Sequence, residues 1–260
     1  MSKIINVDKR LAAFEKLLDI MDELRAKCPW DKKQTYESLR HLTIEETYEL
    51  ADAIVSKDSK EICEELGDIL LHIVFYSKIG EENKEFDIAD VINGINEKLI
   101  QRHPHIFSNV VAETDEDVKS NWEKIKLNSG KKSVMGGVPN SLPSIIKAYR
   151  IQDKARGVGF DWENTSQVWE KVLEEMNELK VEVDGKAGNE RIESEFGDLL
   201  FALINYSRFI NVNPDSALER TNIKFMHRFK YLEEHAGKPL HDMTLAEMDV
   251  FWNQAKEIYK

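Results

Sequence analysis

The sequence predicts an all-α protein built from two helical domains. Charged residues make up 32% and hydrophobic residues 42% of the chain, which contains only 6 Pro and 12 Gly. Apolar residues recur at helical spacing, as in the series Leu11, Phe14, Leu18 and Met21, whereas strand-like alternation is scarce. A chain with few helix breakers and this periodicity is typical of long helices rather than of a β-sandwich.

The domain boundaries are predicted from the clearest break in the helical pattern. This break is the segment 129–145, which is rich in Gly, Ser and Pro. We therefore predict an N-terminal domain at 1–128, a linker at 129–145 and a C-terminal domain at 146–260. A domain of about 100 to 150 residues is long enough to bury its own core.

Composition excludes several classes of function. The net charge of -12 argues against a nucleic-acid surface, because such surfaces depend on clustered Lys and Arg. No stretch is apolar over the roughly 18 to 20 residues of a membrane span. The N-terminus lacks the apolar segment of a signal peptide, and Cys28 and Cys63 are too few for a disulfide framework. We therefore expect a cytoplasmic protein without membrane or nucleic-acid partners.

An internal repeat is the most informative feature of the chain. Residues 65–77, ELGDILLHIVFYS, align without a gap on residues 195–207, EFGDLLFALINYS. Three further features recur in the same order: Glu-Glu-x-x-Glu at 45–49 and 174–178, Lys-x-x-x-Arg at 98–102 and 224–228, and the pair Trp122 and Trp252. The pattern indicates a tandem duplication.

The repeated acidic motifs predict one metal site in each half. Residues three or four apart share one face of a helix, so two helices packed side by side would converge four carboxylates. These are Glu46, Glu49, Glu65 and Asp68 in the first half, and Glu175, Glu178, Glu195 and Asp198 in the second. All-oxygen ligands select Mg²⁺ or Mn²⁺ over zinc. A single such motif more often marks a solvated helix face, but the recurrence of both motifs in register favours a metal site.

The residues around the second acidic motif predict how its helix packs. Leu66, Ile69 and Leu70 would place this helix against a core. Gly67 and its counterpart Gly197 cost stability in a helix interior, about 0.8 to 1 kcal/mol relative to Ala, and close helix packing is the simplest explanation.

Basic and aromatic residues late in each half are candidate nucleotide contacts. A Lys and an Arg four residues apart share one helical face, where they could bind phosphate oxygens or form an ordinary basic patch. The Trp could stack on a base or anchor the last helix in the core. The candidates are Lys98, Arg102 and Trp122 in the first half, and Lys224, Arg228 and Trp252 in the second.

With these motifs, the chain closely resembles the MazG family of nucleotide pyrophosphohydrolases. The segments CPWD at 28–31, QRHPHIF at 101–107 and GVGFDW at 157–162 are also similar to that family's sequence. The resemblance covers nearly the whole chain. It implies an all-α fold of antiparallel helix bundles completed by helices that pair across a homodimer. It also implies Mg²⁺-dependent hydrolysis of nucleoside triphosphates to a monophosphate and pyrophosphate, with broad base specificity.

The resemblance further implies roles for individual residues of the second half. The four carboxylates there match the metal ligands, and Lys224, Arg228 and Trp252 match nucleotide contacts. Lys171 and Glu174 match positions that line the same pocket. In the best-known relatives the C-terminal copy carries most of the activity, yet the first half of this chain keeps a matching set of carboxylates, basic residues and Trp.

Several questions stay open at the level of sequence. Glu174 in one half and Glu45 in the other are candidate general bases, chosen from proximity to the ligands alone. A narrower dUTP or dCTP pyrophosphatase is the alternative enzyme. The alternative of another class is a helical regulatory module with a vestigial site, which the survival of two complete carboxylate sets disfavours.

Overall fold

The computed structural model describes residues 8–108, 114, 118 and 133–259. Within these residues the secondary structure is helical and contains no strand, which confirms the all-α prediction. The chain divides into two compact units, residues 1–110 and 111–260. The predicted linker at 129–145 falls in the second of these ranges, and its described part, 133–143, consists of turns and irregular structure.

The described part of the first unit, residues 8–108, contains five α-helices joined by short connections. They are α1 (Lys9–Lys27), α2 (Tyr36–Ser56), α3 (Ser59–Asn83), α4 (Ile88–Arg102) and the short α5 (Pro104–Phe107). Helix α2 packs along α3, and α1 and α4 also contact α3. Only Lys57 and Asp58 separate α2 from α3, so the two helices form an antiparallel hairpin.

Local residues determine where this hairpin begins and turns. Thr35 and Ser38 form a reciprocal capping box at the start of α2. Lys57 ends α2 in the left-handed conformation, with φ 61°. The carboxylate of Asp58 then accepts hydrogen bonds from the backbone N–H groups of Lys60 and Glu61, which starts α3.

The core of the first unit lies where α1, α2 and α3 meet. Its buried members are Met21, Leu39, Val74, Phe75 and Ile79. Their burial fixes which face of α2 and α3 points inward, and thereby the direction of the acidic residues on the same helices.

The second unit repeats the hairpin of the first. The helices in its described part are α6 (Ser144–Arg156), α7 (Thr165–Asp184), α8 (Asn189–Phe209), α9 (Pro214–His235) and α10 (Leu245–Ile258). Helix α7 packs along α8, α9 packs along α10, and α6 contacts both α8 and α9. The acidic motifs lie on α2 and α3 in one unit and on α7 and α8 in the other, as duplication predicts.

The predicted packing of α3 is wrong in part. Ile69 is half-buried, but Leu66 and Leu70 are 53% and 39% exposed. A Cβ atom added at Gly67 or Gly197 would meet no atom within 4 Å, so close packing inside the unit does not explain these glycines. Apolar periodicity predicts that a helix has an apolar face, but not which surface covers it. In the described ranges, no helix is long and apolar enough to cross a membrane.

Candidate metal centres

The first carboxylate cluster joins α2 to α3. One carboxylate oxygen from each of Glu46, Glu49 and Glu65 lies within 4.8 Å of the other two. Asp68 does not belong to this group of three, although it lies one turn beyond Glu65 and its charge acts on Glu46. The helix faces predicted from spacing are therefore brought together, with Asp68 at the edge.

The charges of this cluster repel one another. Burial raises the pKa of Glu46, and the negative charges of Asp68, Glu49 and Glu65 raise it further. The pKa of Glu65 is raised for the same reasons, by burial first and then by Glu49 and Asp68. Both shifts mean that these glutamates ionise less readily than isolated ones, so a nearby positive charge would favour their ionised forms. An all-oxygen set of this kind fits a hard divalent cation.

The second cluster joins α7 to α8 in the same way. Carboxylate oxygens of Glu175, Glu195 and Asp198 lie within 4.8 Å of one another, and Glu175 is only 7% exposed. Glu178 is exposed and stands outside this group of three. Desolvation and the charge of Glu175 raise the pKa of Glu178, while the ammonium of Lys171 opposes the shift. Three of the four predicted ligands therefore meet, and the fourth lies within electrostatic range.

A lysine distinguishes the second cluster from the first. The Nζ atom of Lys171 lies 2.6 Å from Oε1 of Glu175 and 2.9 Å from Oε1 of Glu174. These hydrogen bonds, first with Glu175 and then with Glu174, raise the pKa of Lys171. In the ungapped register of the acidic motifs, Leu42 occupies the position of Lys171 in the first unit. Glu45 is exposed there, as Glu174 is in the second unit.

A cavity of about 540 Å³ adjoins the second cluster. Its lining includes Lys171, Glu175 and Asp198. The segment before α6 contributes Met135, and α6 contributes Ile151, Gln152 and Ala155. The α6–α7 loop contributes Phe160, Asp161 and Trp162, and the C-terminal half of α8 contributes Phe201, Ala202, Asn205 and Arg208. The sequence similarity in the GVGFDW segment did not predict a role for it. Gln152, Asn205 and Arg208 were not predicted as site residues.

An ion pair between the buried side chain of Arg208 and the partly exposed side chain of Asp161 holds the α6–α7 loop against α8. Arg208 donates hydrogen bonds from Nη1 to Oδ2 of Asp161, at 2.7 Å, and from Nη2 to Oδ1, at 2.5 Å. Arg208 Nη2 also donates to Oδ1 of Asn205. The GVGFDW segment supplied the only sequence signal for this clamp, since Asp161 and Arg208 are 47 positions apart.

The predicted nucleotide contacts of the second unit lie on α9 and α10. Lys224 and Arg228 are one turn apart on α9, as the spacing predicts. However, Nε and Nη2 of Arg228 both donate to the backbone carbonyl of Tyr259. The ring of Trp252 packs on Phe225, with 4.9 Å between ring centroids. Lys224, Arg228 and Trp252 do not belong to the cavity lining described above.

The predicted nucleotide contacts of the first unit are Lys98, Arg102 and Trp122. Lys98 is exposed and Arg102 is the last residue of α4. Trp122 lies outside the described residues.

Fold and site together define a duplicated all-α protein with one carboxylate cluster in each helical hairpin. A family model for the MazG nucleotide pyrophosphohydrolase domain matches residues 34–107, which contain the whole first cluster. The chain is 44% identical over 251 residues to a nucleoside triphosphate pyrophosphohydrolase/pyrophosphatase MazG of Thermotoga maritima, a match that covers 94% of this chain and 95% of that protein.

Two further relatives match nearly the same length of this chain. A nucleoside triphosphate pyrophosphohydrolase of Escherichia coli K12 is 38% identical over 253 residues, covering 93% of this chain and 96% of that protein. The uncharacterized protein YabN of Bacillus subtilis is 48% identical over 252 residues, which span 94% of this chain and 52% of YabN. The chain belongs to the MazG family of nucleotide pyrophosphohydrolases, which confirms the resemblance drawn from its motifs.

Proposed function

We propose that this protein hydrolyses nucleoside triphosphates of any common base to the monophosphate and pyrophosphate, and that the reaction depends on Mg²⁺, for which Mn²⁺ can substitute. The observation that supports this most strongly is the convergence of Glu175, Glu195 and Asp198 beside a cavity large enough for an organic ligand. Relatives that align over nearly their whole length carry the corresponding name.

The carboxylates would hold the metal between them. Glu175, Glu195 and Asp198 supply the inner oxygens, with Glu178 as the fourth ligand, and Glu46, Glu49, Glu65 and Asp68 are the counterparts in the first unit. Bound Mg²⁺ would polarise the phosphates and lower the pKa of a coordinated water. Lys171 stands where it can exchange its bond to Glu175 for a phosphate oxygen, which would position the triphosphate.

Proton transfer and charge neutralisation fall to neighbouring side chains. Glu174, and Glu45 in the first unit, are the candidate general bases because each directly precedes a ligand on the same helix. Lys224 and Arg228 would neutralise phosphate charge, and Trp252 would contact the nucleotide. Lys98 and Arg102 are their counterparts in the first unit.

We further propose that the protein is a homodimer. Each hairpin carries an exposed apolar stripe on the helix that bears the second acidic motif: Leu66, Leu70 and Ile73 on α3, and Phe196, Leu200 and Leu203 on α8. Contiguous apolar surface of this kind commonly marks a protein interface.

The function is tested with purified protein, Mg²⁺ and each common ribo- and deoxyribonucleoside triphosphate. We expect one monophosphate and one pyrophosphate per turnover, and loss of the reaction on chelation. Glu175→Gln and Glu46→Gln assign the active unit, because each removes one ligand charge with little change of shape. Release of orthophosphate alone, or full activity in the variant that combines both substitutions, would show that the proposal is wrong.

A further inference from the structure

The described part of the predicted linker, residues 133–143, is bound along α6 by two lysines of that helix. Nζ of Lys154 donates a hydrogen bond to the backbone carbonyl of Val134 at 3.0 Å, and Nζ of Lys147 donates to that of Asn140 at 2.7 Å. The lysines are about two helical turns apart, so they lie on one face of α6. Because the later lysine holds the earlier linker residue, the segment runs antiparallel to the helix.

Lys154 forms the more protected of these two bonds. Lys154 is 3% exposed, whereas Lys147 is only partly buried. A lysine is almost never fully buried unless its ammonium has partners, because the loss of hydration is costly. Water can replace a carbonyl at an exposed ammonium but not at a buried one. The bond to Val134 is therefore a fixed contact inside the second unit.

The backbone on either side of Met135 is folded into two tight turns. The N–H of Met135 donates to Oγ of Ser133 at 3.2 Å, and the N–H of Gly136 donates to the Ser133 carbonyl at 3.1 Å. The N–H of Val138 then donates to the carbonyl of Met135 at 3.2 Å. Gly137 has φ 93°, a conformation that favours glycine. The Gly-rich sequence that predicted a linker thus forms a defined turn here.

Met135 brings this segment into the second site. Its side chain lines the cavity beside the second cluster, together with Glu175 and Asp198, and the residue is 42% exposed. A methionine side chain is flexible and polarizable, so it adapts to organic groups, but it reaches only as far as its backbone allows. Since Val134 directly precedes Met135, the bond from Lys154 determines where this wall of the cavity stands.

We propose that Lys154 is a positioning residue for the reaction: by holding Val134, it seats Met135 against the organic part of the bound substrate. This inference rests on the proposed function. Lys154 itself does not belong to the cavity lining described above, so it acts through the linker backbone. The segment 133–143 is therefore a component of the second site as well as a connection between the two acidic motifs.

The test is a double-mutant cycle in the full-length protein. Lys154→Met, Met135→Ala and the combined variant are compared by KM and kcat for ATP with Mg²⁺. We expect KM to rise about tenfold in each single variant, with kcat within about twofold of the wild type, because the lost contact is to the bound organic group and not to the reacting phosphates. The combined variant should show no larger KM than either single variant, because Lys154 acts through Met135.

Two variants serve as matched controls. Lys147→Met removes the same type of bond from the same face of α6, but at Asn140, away from Met135. Its KM should stay within about twofold of the wild type. Met135→Leu conserves the volume of the side chain and should retain nearly the wild-type KM. Amide hydrogen exchange reports the anchoring without turnover, and exchange at Gly136 and Val138 should be faster in Lys154→Met than in the wild type.

The outcomes separate positioning from a merely structural role. If the two single effects multiply in the combined variant, the residues act independently and the inference is wrong. An unchanged KM in Met135→Ala would also overturn it, and this substitution at a partly exposed position does not depend on how the buried Lys154→Met variant folds. A wild type that hydrolyses no triphosphate refutes the proposed function and the positioning role together. Hydrolysis with independent effects refutes the positioning role alone.

Discussion

The ammonium of Lys171 lies 2.6 Å from Oε1 of Glu175, the most buried carboxylate of the second cluster. The second cluster thus has a lysine ammonium in direct contact with one of its carboxylates. The first cluster has Leu42 at this position, and the pKa of Glu46 there is raised by burial and by three neighbouring carboxylates. The two clusters therefore differ in their local charge balance.

Replacing this lysine should separate its role in binding from a purely structural one. In Lys171→Met we expect kcat/KM for a nucleoside triphosphate to fall by roughly ten- to a hundredfold, equivalent to about 1.4 to 2.7 kcal/mol, because a phosphate contact is lost. The unfolding free energy should fall by only about 1 kcal/mol, since Lys171 is partly exposed. The control is Lys180→Met, an exposed lysine on the same helix. If kcat/KM is the same for Lys171→Met and Lys180→Met, Lys171 does not contribute to the site.

The raised pKa values predict how pH affects stability without metal. For Glu46 and Glu65 the folded state has the higher pKa, so their contribution to stability is present below the unfolded pKa and is lost as pH rises through the folded one. Adding Mg²⁺ should therefore raise Tm more at pH 7.5 than at pH 5. In EDTA, Glu46→Gln should stabilise the protein at pH 7.5.

The matched control for this experiment is Glu45→Gln, which removes an exposed charge one residue away. It should change Tm in EDTA much less than Glu46→Gln does. A Mg²⁺ effect on Tm that is independent of pH would contradict the assignment of these carboxylates as ligands, because ligation requires their deprotonation.

The ion pair between Asp161 and Arg208 should matter more for the fold than a surface pair. Their side chains are only 18% and 7% exposed and share two hydrogen bonds. Asp161→Ala leaves a buried guanidinium uncompensated and should cost about 3 to 5 kcal/mol in the unfolding of the second unit. The double variant Asp161→Ala with Arg208→Leu should recover part of that loss. Urea unfolding measures the free energy of unfolding of the single and the double variant. A loss below about 1 kcal/mol in Asp161→Ala would mean that water replaces the carboxylate as the partner of Arg208.

The proposed dimer is tested on the apolar stripe of α8. Leu200 is 47% exposed in the single chain, and a charge there should be harmless unless a second copy covers it. We expect Leu200→Glu to shift the molar mass measured by light scattering from two chains to one at micromolar concentration. Leu245→Glu, at a 73% exposed position of α10, should leave the mass unchanged. A wild type that is already monomeric would refute the dimer directly.

Sequence alone predicted the helices and their acidic faces well. Glu46 and Glu49, or Glu195 and Asp198, share a face because the helical repeat is a local property, and the duplication provided a second copy for comparison. The same reasoning failed for Leu66 and Leu70, whose periodicity required an apolar face but did not require that face to be buried within one unit.

What the sequence by itself determined is thus the fold class, the family and the two acidic motifs, since all of these follow from short-range spacing and its repetition. The tertiary structure alone decided that three carboxylates of each set meet closely, that Arg208 pairs with Asp161, and that a cavity adjoins the second cluster. The physical reason is that these contacts join residues tens of positions apart, and their geometry depends on how whole helices pack.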